Sequence, residues 1–335
     1  MRKYIIKRIF LSMIVLFMVV LITFVITRAI PGDPAVKWAG PRASVEQIEA
    51  ARLELGLDKP YVIQFFNYAG NLLQGDLGYS YITHRPVADE LLETIPATME
   101  LIILSTVISI IVGVALGLYS AKYKDKLLDH AVRFFAIGSV SLPSFWLALA
   151  LQLIFYGVLG ILPLGGRVST EISIFYQIPD ITGLLLLDCI LTGNWVVFKD
   201  ALWHIILPVV TLSTNVGVVA RMTRSALLEI LNEDYITAEK SYGIHERYIL
   251  WVYALKNSLG PTATVVTLTI GYTIVNTFLV ESIFSWPGIG KYVSNAVMSF
   301  DYPAIIGVTI FSAVVYLILN LIADIIISLD PRVRI

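Results

Sequence analysis

The stretch HERYI, residues 245–249, begins like the zinc-binding motif H-E-x-x-H. In that motif, two histidines one helical turn apart hold a zinc ion, and the adjacent glutamate acts as a general base. Position 249 is isoleucine, so His245 and Glu246 lack the second histidine ligand. The other three histidines lie far from one another along the chain. We therefore predict neither a metal site nor a metallopeptidase activity.

Other sequence patterns that carry catalytic chemistry are also missing. The chain has no G-x-S-x-G nucleophile elbow and no G-x-x-x-x-G-K-[ST] phosphate loop. Without a phosphate loop, the chain cannot hydrolyse ATP by itself in the P-loop manner. Its single cysteine, Cys189, excludes an internal disulfide. We predict that the chain is not an enzyme and binds no cofactor of its own.

The elements that carry these residues are typical of a membrane protein. Of the 335 residues, 57% are hydrophobic and 15% are charged, against about 25% charged residues in an average soluble domain. A helix needs about 20 apolar residues to cross a bilayer. The composition predicts an all-α integral membrane protein in a lipid bilayer, with no nucleic-acid partner. Six stretches are long and apolar enough to span: Ile9–Thr27, Thr98–Ala121, Val132–Ile161, Leu202–Leu228, Ser258–Val280 and Ala304–Leu329.

Local features refine this prediction of about six spans. The third stretch contains Pro143, which predicts a kink or a tilt. The apolar segment 183–193 is too short to span because Asp188 interrupts it. The first apolar run follows basic residues, as in a signal peptide, but its length predicts a retained span. Glu100 lies near the first residue of the second stretch, at one end of the span, where we expect it to be solvated.

The distribution of lysine and arginine predicts the orientation of the chain. Basic residues are concentrated in the N-terminal tail, after the second and fourth stretches, and at the C-terminus. In the segment 30–96, acidic residues outnumber basic ones. Because cytoplasmic loops carry an excess of basic residues, both termini are predicted to be cytoplasmic. The segments 30–96 and 162–201 then lie outside, in a multi-pass protein of the cell (plasma or inner) membrane.

The outer segment after the first span is predicted to be structured. SVEQ, residues 44–47, is a capping box that opens a helix. Gly56 stands where a helix C′ residue belongs, with a proline soon after it. PYVIQFFNYAGNLL then predicts an amphipathic helix, and RPVADELLETIP predicts one or two further helical turns before the second span. We predict an organisation into residues 1–30 (tail and first span), 31–96 (helical outer loop) and 97–335 (the remaining spans).

The segment 233–257, EDYITAEKSYGIHERYILWVYALKN, is charged and lies between two predicted spans. DYITAEKSYG predicts a short helix, and Gly243 can adopt the left-handed conformation that ends it. A second helix then leads back into the membrane. Ile244, Tyr248, Ile249 and Tyr253 form its apolar stripe. Such a helix–glycine–helix segment is suited to docking a soluble partner, although a charged connector between spans explains it equally well.

Within this segment, TAEKSYG followed by ALKN and Pro261 resembles the EAA loop of ABC importer permeases of the oligopeptide/dipeptide/nickel branch. Further stretches resemble the same family in the same order along nearly the whole chain. They are RAIPGDPA, GDLGYSY, RPVADELLETIPATMEL, ITGLLLLDCILTGNWVVFKDALWHIILP, ESIFSWPGIGKYV, DYPAI and DPRVR. The chain is similar to the B-type permease subunit of binding-protein-dependent importers in that branch.

This resemblance implies a mechanism and a set of partners. Two such permeases pair around a pathway, and each docks a cytoplasmic coupling helix on one of two ATPase subunits, which bind the ATP and Mg²⁺. An extracytoplasmic binding protein delivers the substrate. The motif departs from the family pattern because Thr237 replaces its first glutamate and Glu239 its second alanine, while Ala238 and Gly243 are retained. The coupling residues that the resemblance implies are Thr237, Ala238, Glu239, Gly243, Ile244, His245, Glu246 and Arg247.

Polar residues within the spans are candidates for the pathway, because polar groups are costly in lipid and tend to face a cavity. Hydrogen bonding between helices is the alternative role for them. The candidates are Gln152, Asn215, Tyr272 and Asn276. Trp286, Pro287 and Gly288, in FSWPGIG beyond the fifth span, are candidates for an external gate or a docking edge. An interfacial turn anchored by Trp286 is the alternative there.

The substrate and the function class remain open at this point. The family resemblance indicates peptides first, with oligosaccharides or nickel as alternatives within the same architecture. Selectivity is expected to reside in the binding protein, because the spans carry few charges. A secondary transporter or channel that works without ATP is the alternative of a different class. No span carries a series of Asp, Glu or His residues that a proton relay would need, which counts against that alternative.

Overall fold

The computed structural model describes residues 2–29, 33–40 and 42–328. Within these ranges the regular structure is helical, and the β-pairing there consists of one isolated bridge between Tyr79 and Pro86. The predicted all-α class is confirmed. The helices are α1 Arg2–Ala29, α2 Pro34–Ala39, α3 Val45–Glu54, α4 Tyr61–Leu73, α5 Val87–Lys122, α6 Leu127–Ser141, α7 Ser144–Gln152, α8 Thr170–Phe175, α9 Leu185–Thr192, α10 Trp195–Leu212, α11 Val216–Ile230, α12 Asp234–Ser241, α13 Glu246–Tyr248, α14 Leu255–Ile283, α15 Ile289–Ser299 and α16 Tyr302–Ser328.

Four helical segments in the described residues are long and apolar enough to cross a membrane. They are Ile6–Thr27, Val87–Lys122, Trp195–Ile230 and Val265–Ile283. The pair α6 and α7 makes a fifth if it is one bent span. The described apolar part of α16, Tyr302–Ile318, is shorter. The count of six spans therefore stays a prediction, and Leu329 of the predicted sixth span lies outside the described residues.

Two of the predicted spans are interrupted. The axis bends by 101° between α6 and α7, where Leu142 and Pro143 separate the two helices. The kink predicted from Pro143 is confirmed, because proline cannot continue the hydrogen-bond ladder of the preceding helix. A 3₁₀ segment, Ser213–Asn215, joins α10 to α11. Within the described ranges there are two π-helical segments, Leu153–Val158 after α7 and Ile249–Ala254 between α13 and α14.

The chain forms two compact units, Met1–Ile95 with Tyr292–Leu321, and Pro96–Lys291 with Ile322–Ile335. In the first unit, Ser44 and Gln47 make the predicted capping box at the start of α3, with both reciprocal hydrogen bonds present. Gly56 has φ +63° directly after that helix, as predicted. The predicted amphipathic helix is α4. The helical turns predicted at RPVADELLETIP belong to α5 itself, which begins at Val87 and continues through Pro96 without a break.

Hydrogen bonds between distant segments close the first unit. The Tyr292 hydroxyl donates to Glu90 Oε2 at 2.6 Å, and burial raises the pKa of Tyr292 above its usual value. Asp301, which is buried, accepts hydrogen bonds from the Ser80 hydroxyl and from the Tyr81 N–H. These contacts hold α15, and Asp301 between α15 and α16, to the outer loop.

The second unit contains a buried ion pair at the start of its first helix. Arg167 NH2 lies 2.6 Å from Glu100 Oε2, while the N–H of Leu186 donates to Glu100 Oε1 at 2.8 Å. The Arg167 guanidinium also covers the Trp286 ring at 5.6 Å from its centroid. Glu100 is 5% exposed. The expectation that it is solvated was wrong, because Arg167 arrives from a segment that is remote in sequence.

A second ion pair in this unit, between Asp129 and Arg224, joins α6 to α11. Asp129 accepts two hydrogen bonds from Arg224, at 2.7 and 2.8 Å, and a third from the Ser120 hydroxyl at 2.5 Å. Glycine allows the helices to approach closely here. A Cβ on Gly117 would lie 2.6 Å from the carbonyl oxygen of Ala220. Small residues that permit backbone contact are typical of helix pairs in membranes.

Candidate functional site

The segment 233–257, called the coupling segment below, has the helix–glycine–helix form that the sequence predicts. α12 ends at Ser241, and Gly243 follows with φ +77°. Nothing lies within 4 Å of the position of a Gly243 Cβ, so the positive φ is the reason for glycine there. α13 begins after His245, whose Nδ1 accepts a hydrogen bond from the N–H of Arg247 at 3.2 Å.

The second half of the coupling segment is continuous with a span. The π-helical segment Ile249–Ala254 follows α13 directly and passes into α14, which contains the apolar span Val265–Ile283. Pro261 lies inside α14 without ending it. α13, the π-helical segment and α14 thus follow one another without an intervening loop.

A buried apolar cluster fixes the coupling segment to the ends of two other helices. Ile236 of α12 is fully buried, and it packs in a cluster with Leu118 of α5 and Leu227 of α11. Ile249 and Leu250 of the π-helical segment complete that cluster. Because large core residues fix the position of the elements that carry them, α12 is held against these helix ends.

The apolar stripe predicted for the second helix is partly correct. Ile249 is buried, and Ile244 and Tyr253 pack against the cluster. Tyr248 is instead 54% exposed, and its ring meets that of Tyr253 edge to face at 5.8 Å between centroids. The π-helical segment begins after Tyr248, so its wider turns change the face on which the following residues lie.

Most of the predicted coupling residues lie on the surface of the segment. Thr237, Ala238, Gly243, His245, Glu246 and Arg247 are exposed, while Glu239 and Ile244 are half-buried. Sequence reasoning missed the aromatic side chains beside them. Tyr242 is 84% exposed, and Trp251 is 45% exposed. His245, Arg247, Tyr248, Trp251 and Val252 line a shallow open depression. Exposed aromatics next to a charged helix are the signal that could have identified them.

The four polar pathway candidates have different surroundings. Gln152 donates to the carbonyl oxygens of Leu164 and Ile283, at 2.7 and 3.2 Å. Asn215 donates to the Thr273 hydroxyl at 2.9 Å. These two make the contacts between segments that were the alternative to pathway lining.

The other two candidates lie one turn apart on α14. Asn276 donates to the carbonyl oxygen of Tyr272 at 2.9 Å and accepts from the Ser144 hydroxyl at 2.9 Å. Tyr272 is 70% exposed. The structure thus brings Tyr272 and Asn276 together, and pathway lining stays a prediction for all four residues.

The three external candidates form a tight turn at the end of α14. Trp286 is 1% exposed, and its indole N–H donates to the carbonyl oxygen of Ala97 at 2.9 Å. Gly288 is buried against the Glu281 carboxylate, which accepts a hydrogen bond from the N–H of Gly290 at 2.6 Å. Trp286 is thus neither an interfacial anchor nor an accessible gate, because its side chain belongs to the core. Pro287 is the exposed member of the three.

Residues 113–335 match the family "Binding-protein-dependent transport system inner membrane component". Residues 1–102 match the N-terminal region of the same kind of membrane component. The chain belongs to this family. The resemblance is thereby confirmed over nearly the entire length, and the chain is a permease component of the inner membrane.

Curated relatives of the permease cover it almost from end to end. It is 43% identical to the probable D,D-dipeptide transport system permease protein of Escherichia coli (strain K12), over 94% of this chain and 92% of the relative. It is 38% identical to the di/tripeptide transport system permease protein of Pseudomonas aeruginosa, over 100% and 99%. It is 32% identical to the oligopeptide transport system permease protein of Bacillus subtilis, over the full length of both.

Proposed function

We propose that this permease forms half of the translocation pathway of an ATP-driven importer of short peptides. The observation that carries the proposal is the end-to-end similarity to permeases named for dipeptides, di- and tripeptides, and oligopeptides. Peptides are therefore the substrate class that we propose ahead of oligosaccharides or nickel. An external binding protein delivers the peptide, and a second, homologous permease supplies the other half of the pathway.

In this proposal, the coupling segment docks on one of two ATPase subunits, which bind the ATP and Mg²⁺. The exposed residues from Thr237 to Arg247 form the contact. The segment is then cytoplasmic, as are both termini, in agreement with the excess of basic residues beside it.

The structure offers a mechanical route from this contact to the membrane. Ile236 ties α12 to the ends of α5 and α11, and the π-helical segment ties α13 to α14. When the ATPase subunits close, these three helices move with the coupling segment. Tyr272 and Asn276, on α14, are then the polar groups whose exposure to the pathway changes.

The first experiment is a gentle purification of the tagged permease from its native host, with mass spectrometry of the proteins that remain bound. A P-loop ATPase and a second permease are expected. The same purification is carried out with a variant that carries Tyr242→Asp and Arg247→Glu, two changes at exposed positions that alter the charge of the docking surface. This variant is expected to lose the ATPase. Retention of the ATPase by this variant, or its absence from the unchanged permease, would contradict the proposed docking.

A second experiment tests the substrate class. The reconstituted transporter, with its binding protein and ATP, is supplied in turn with a labelled dipeptide, a labelled oligosaccharide and Ni²⁺. Accumulation of the dipeptide alone is expected. Uptake of the sugar or of nickel in its place would show that the importer architecture is correct and the peptide assignment is wrong. Uptake without ATP would indicate a secondary transporter.

A further inference from the structure

α4, in the outer loop of the first unit, carries an exposed apolar stripe that the transport mechanism does not use. The helix contains no charged residue over its 13 positions, YVIQFFNYAGNLL. Val62 is 67% exposed, Phe66 is 68% exposed and Leu73 is 91% exposed. These three residues follow one another at spacings of four and seven, which places them on one face of the helix.

The polar side chains of α4 lie on a different face. Asn67 and Asn71 are exposed and four residues apart. Gln64 is buried and donates to the carbonyl oxygens of Leu57 and Lys59, at 3.2 and 2.7 Å, which fixes the start of the helix. α4 is thus amphipathic, with amides rather than charges on its polar side.

Aromatic contacts with α1 fix the depth of α4 along the apolar span of that helix. The Phe65 ring is 5.4 Å from that of Phe24 and 6.1 Å from that of Phe17, between centroids. The Tyr68 ring stacks on Phe24 at 5.9 Å. Phe24 and Phe17 stand three and ten residues before Thr27, where the apolar span ends. At 1.5 Å per residue, these are depths of about 5 and about 15 Å below the end of the span.

The apolar surface of α1 beside these contacts is left uncovered by the described part of the chain. In the apolar span Ile6–Thr27, only 6% of the most apolar 18-residue stretch is buried by the rest of the chain. Because Phe65 packs on α1 inside the apolar part of the span, the exposed stripe of α4 continues this uncovered surface of α1. An amphipathic helix at that depth, with an apolar face and an amide face, fits the boundary between headgroups and acyl chains.

We infer that α4 is an interfacial helix whose stripe of Val62, Phe66 and Leu73 inserts among the phospholipid acyl chains of the leaflet at the C-terminal end of α1. Asn67 and Asn71 then face the headgroups and water. The helix anchors the outer loop to the membrane surface next to α1. This inference concerns the lipid alone, so it stands whichever substrate the permease transports.

The test uses the complete transporter in vesicles of phosphatidylethanolamine and phosphatidylglycerol. Cys189→Ser removes the single native cysteine, and Phe66→Cys, Leu73→Cys and Asn67→Cys are each labelled with a nitroxide. Collisions with oxygen, which concentrates in lipid, are compared with collisions with a water-soluble nickel chelate. Asn67 is the matched control, because it is exposed and adjacent to Phe66 but lies on the polar face.

The expected result is high oxygen and low nickel accessibility at positions 66 and 73, and the reverse at position 67. High nickel accessibility at all three positions would show that α4 lies in water and overturn the inference. Low accessibility to both reagents at positions 66 and 73 would also overturn it, because a protein partner would then cover the stripe. The two apolar positions are independent, so failure of one variant to fold leaves the other.

Discussion

Gly243 is the residue at which the coupling segment turns, and its backbone conformation decides what can replace it. A β-branched residue at φ +77° is disfavoured by about 1–2 kcal/mol. We predict that Gly243→Val reduces transport per ATP hydrolysed while the spans still insert. The measurement is peptide uptake and ATPase activity in the same vesicles. Gly243→Asn is the control, because asparagine tolerates the left-handed region. Undiminished uptake by the valine variant would contradict the coupling role.

Asp129 is a residue whose burial makes its ion pair sensitive to mutation. Its side chain is fully buried, and it accepts two hydrogen bonds from Arg224. Removing one partner of such a pair costs about 3–5 kcal/mol, because the other charge is left without compensation. We predict that Asp129→Asn lowers the unfolding temperature of the purified permease. Glu93→Gln breaks an exposed pair with Arg85, worth about 0–1 kcal/mol, and should leave it nearly unchanged. Equal effects of the two variants would contradict this account.

At the scale of elements, the approach of α5 to α11 depends on the absence of a side chain at Gly117. A Cβ there would lie 2.6 Å from both the carbonyl oxygen of Ala220 and the Cβ of Thr223. We predict that Gly117→Ala destabilises the permease by about 1–3 kcal/mol, the usual cost of overpacking. Gly138→Ala in α6 is the matched control, because nothing lies within 4 Å of its Cβ position. Unfolding in detergent measures both, and a neutral Gly117→Ala would show that the helices separate easily.

The loop before α9 is held by Asp188, and this predicts a dependence on pH. Burial raises the pKa of Asp188, but hydrogen bonds from the Thr182 hydroxyl and from the N–H groups of residues 181–183 outweigh it, so the pKa lies below its usual value. The carboxylate therefore stabilises the loop above the unfolded pKa of about 3.8. This stabilisation is lost as the pH falls through the lowered folded pKa.

Asp188→Asn is accordingly expected to lower the unfolding temperature at pH 7, since it leaves N–H donors facing an amide group. The difference from the unchanged permease should persist down to pH 4 and shrink below it. Comparing the two proteins at each pH removes the effect of other titrating groups. A difference that grows in acid would show that the carboxylate is not the stabilising form.

At the scale of the whole molecule, the orientation of the chain can be tested with two exposed positions. Tyr242 is 84% exposed in the coupling segment, and Phe175 is 80% exposed in α8. We predict that, in a Cys189→Ser background, Tyr242→Cys is labelled by an impermeant maleimide from the cytoplasmic side alone. Phe175→Cys should be labelled from the outside alone. Labelling of both from one side would contradict the prediction, because the chain would then cross the membrane an even number of times between them.

Residue patterns along the chain were enough to establish the helical class, the family and several local structures. The capping box at Ser44, the left-handed Gly56 and Gly243, and the bend at Pro143 depend on a few neighbouring residues, and local interactions are readable from local sequence. The helix–glycine–helix form of the coupling segment was predicted for the same reason, whereas its coupling residues follow from the family resemblance and stay a prediction. The family followed from motifs that recur in order along the chain.

Roles that depend on remote partners became visible only in the folded chain. Glu100 is buried because Arg167 neutralises it, and Trp286 is a core residue because Ala97 accepts its N–H. Tyr248 is exposed and Ile249 is buried where α13 meets a π-helical segment that the sequence pattern did not predict. The lipid-facing stripe of α4 was visible as an amphipathic pattern, but its level became clear only from the contact of Phe65 with α1. Contacts between distant residues carry no local signal, so a single sequence cannot specify them.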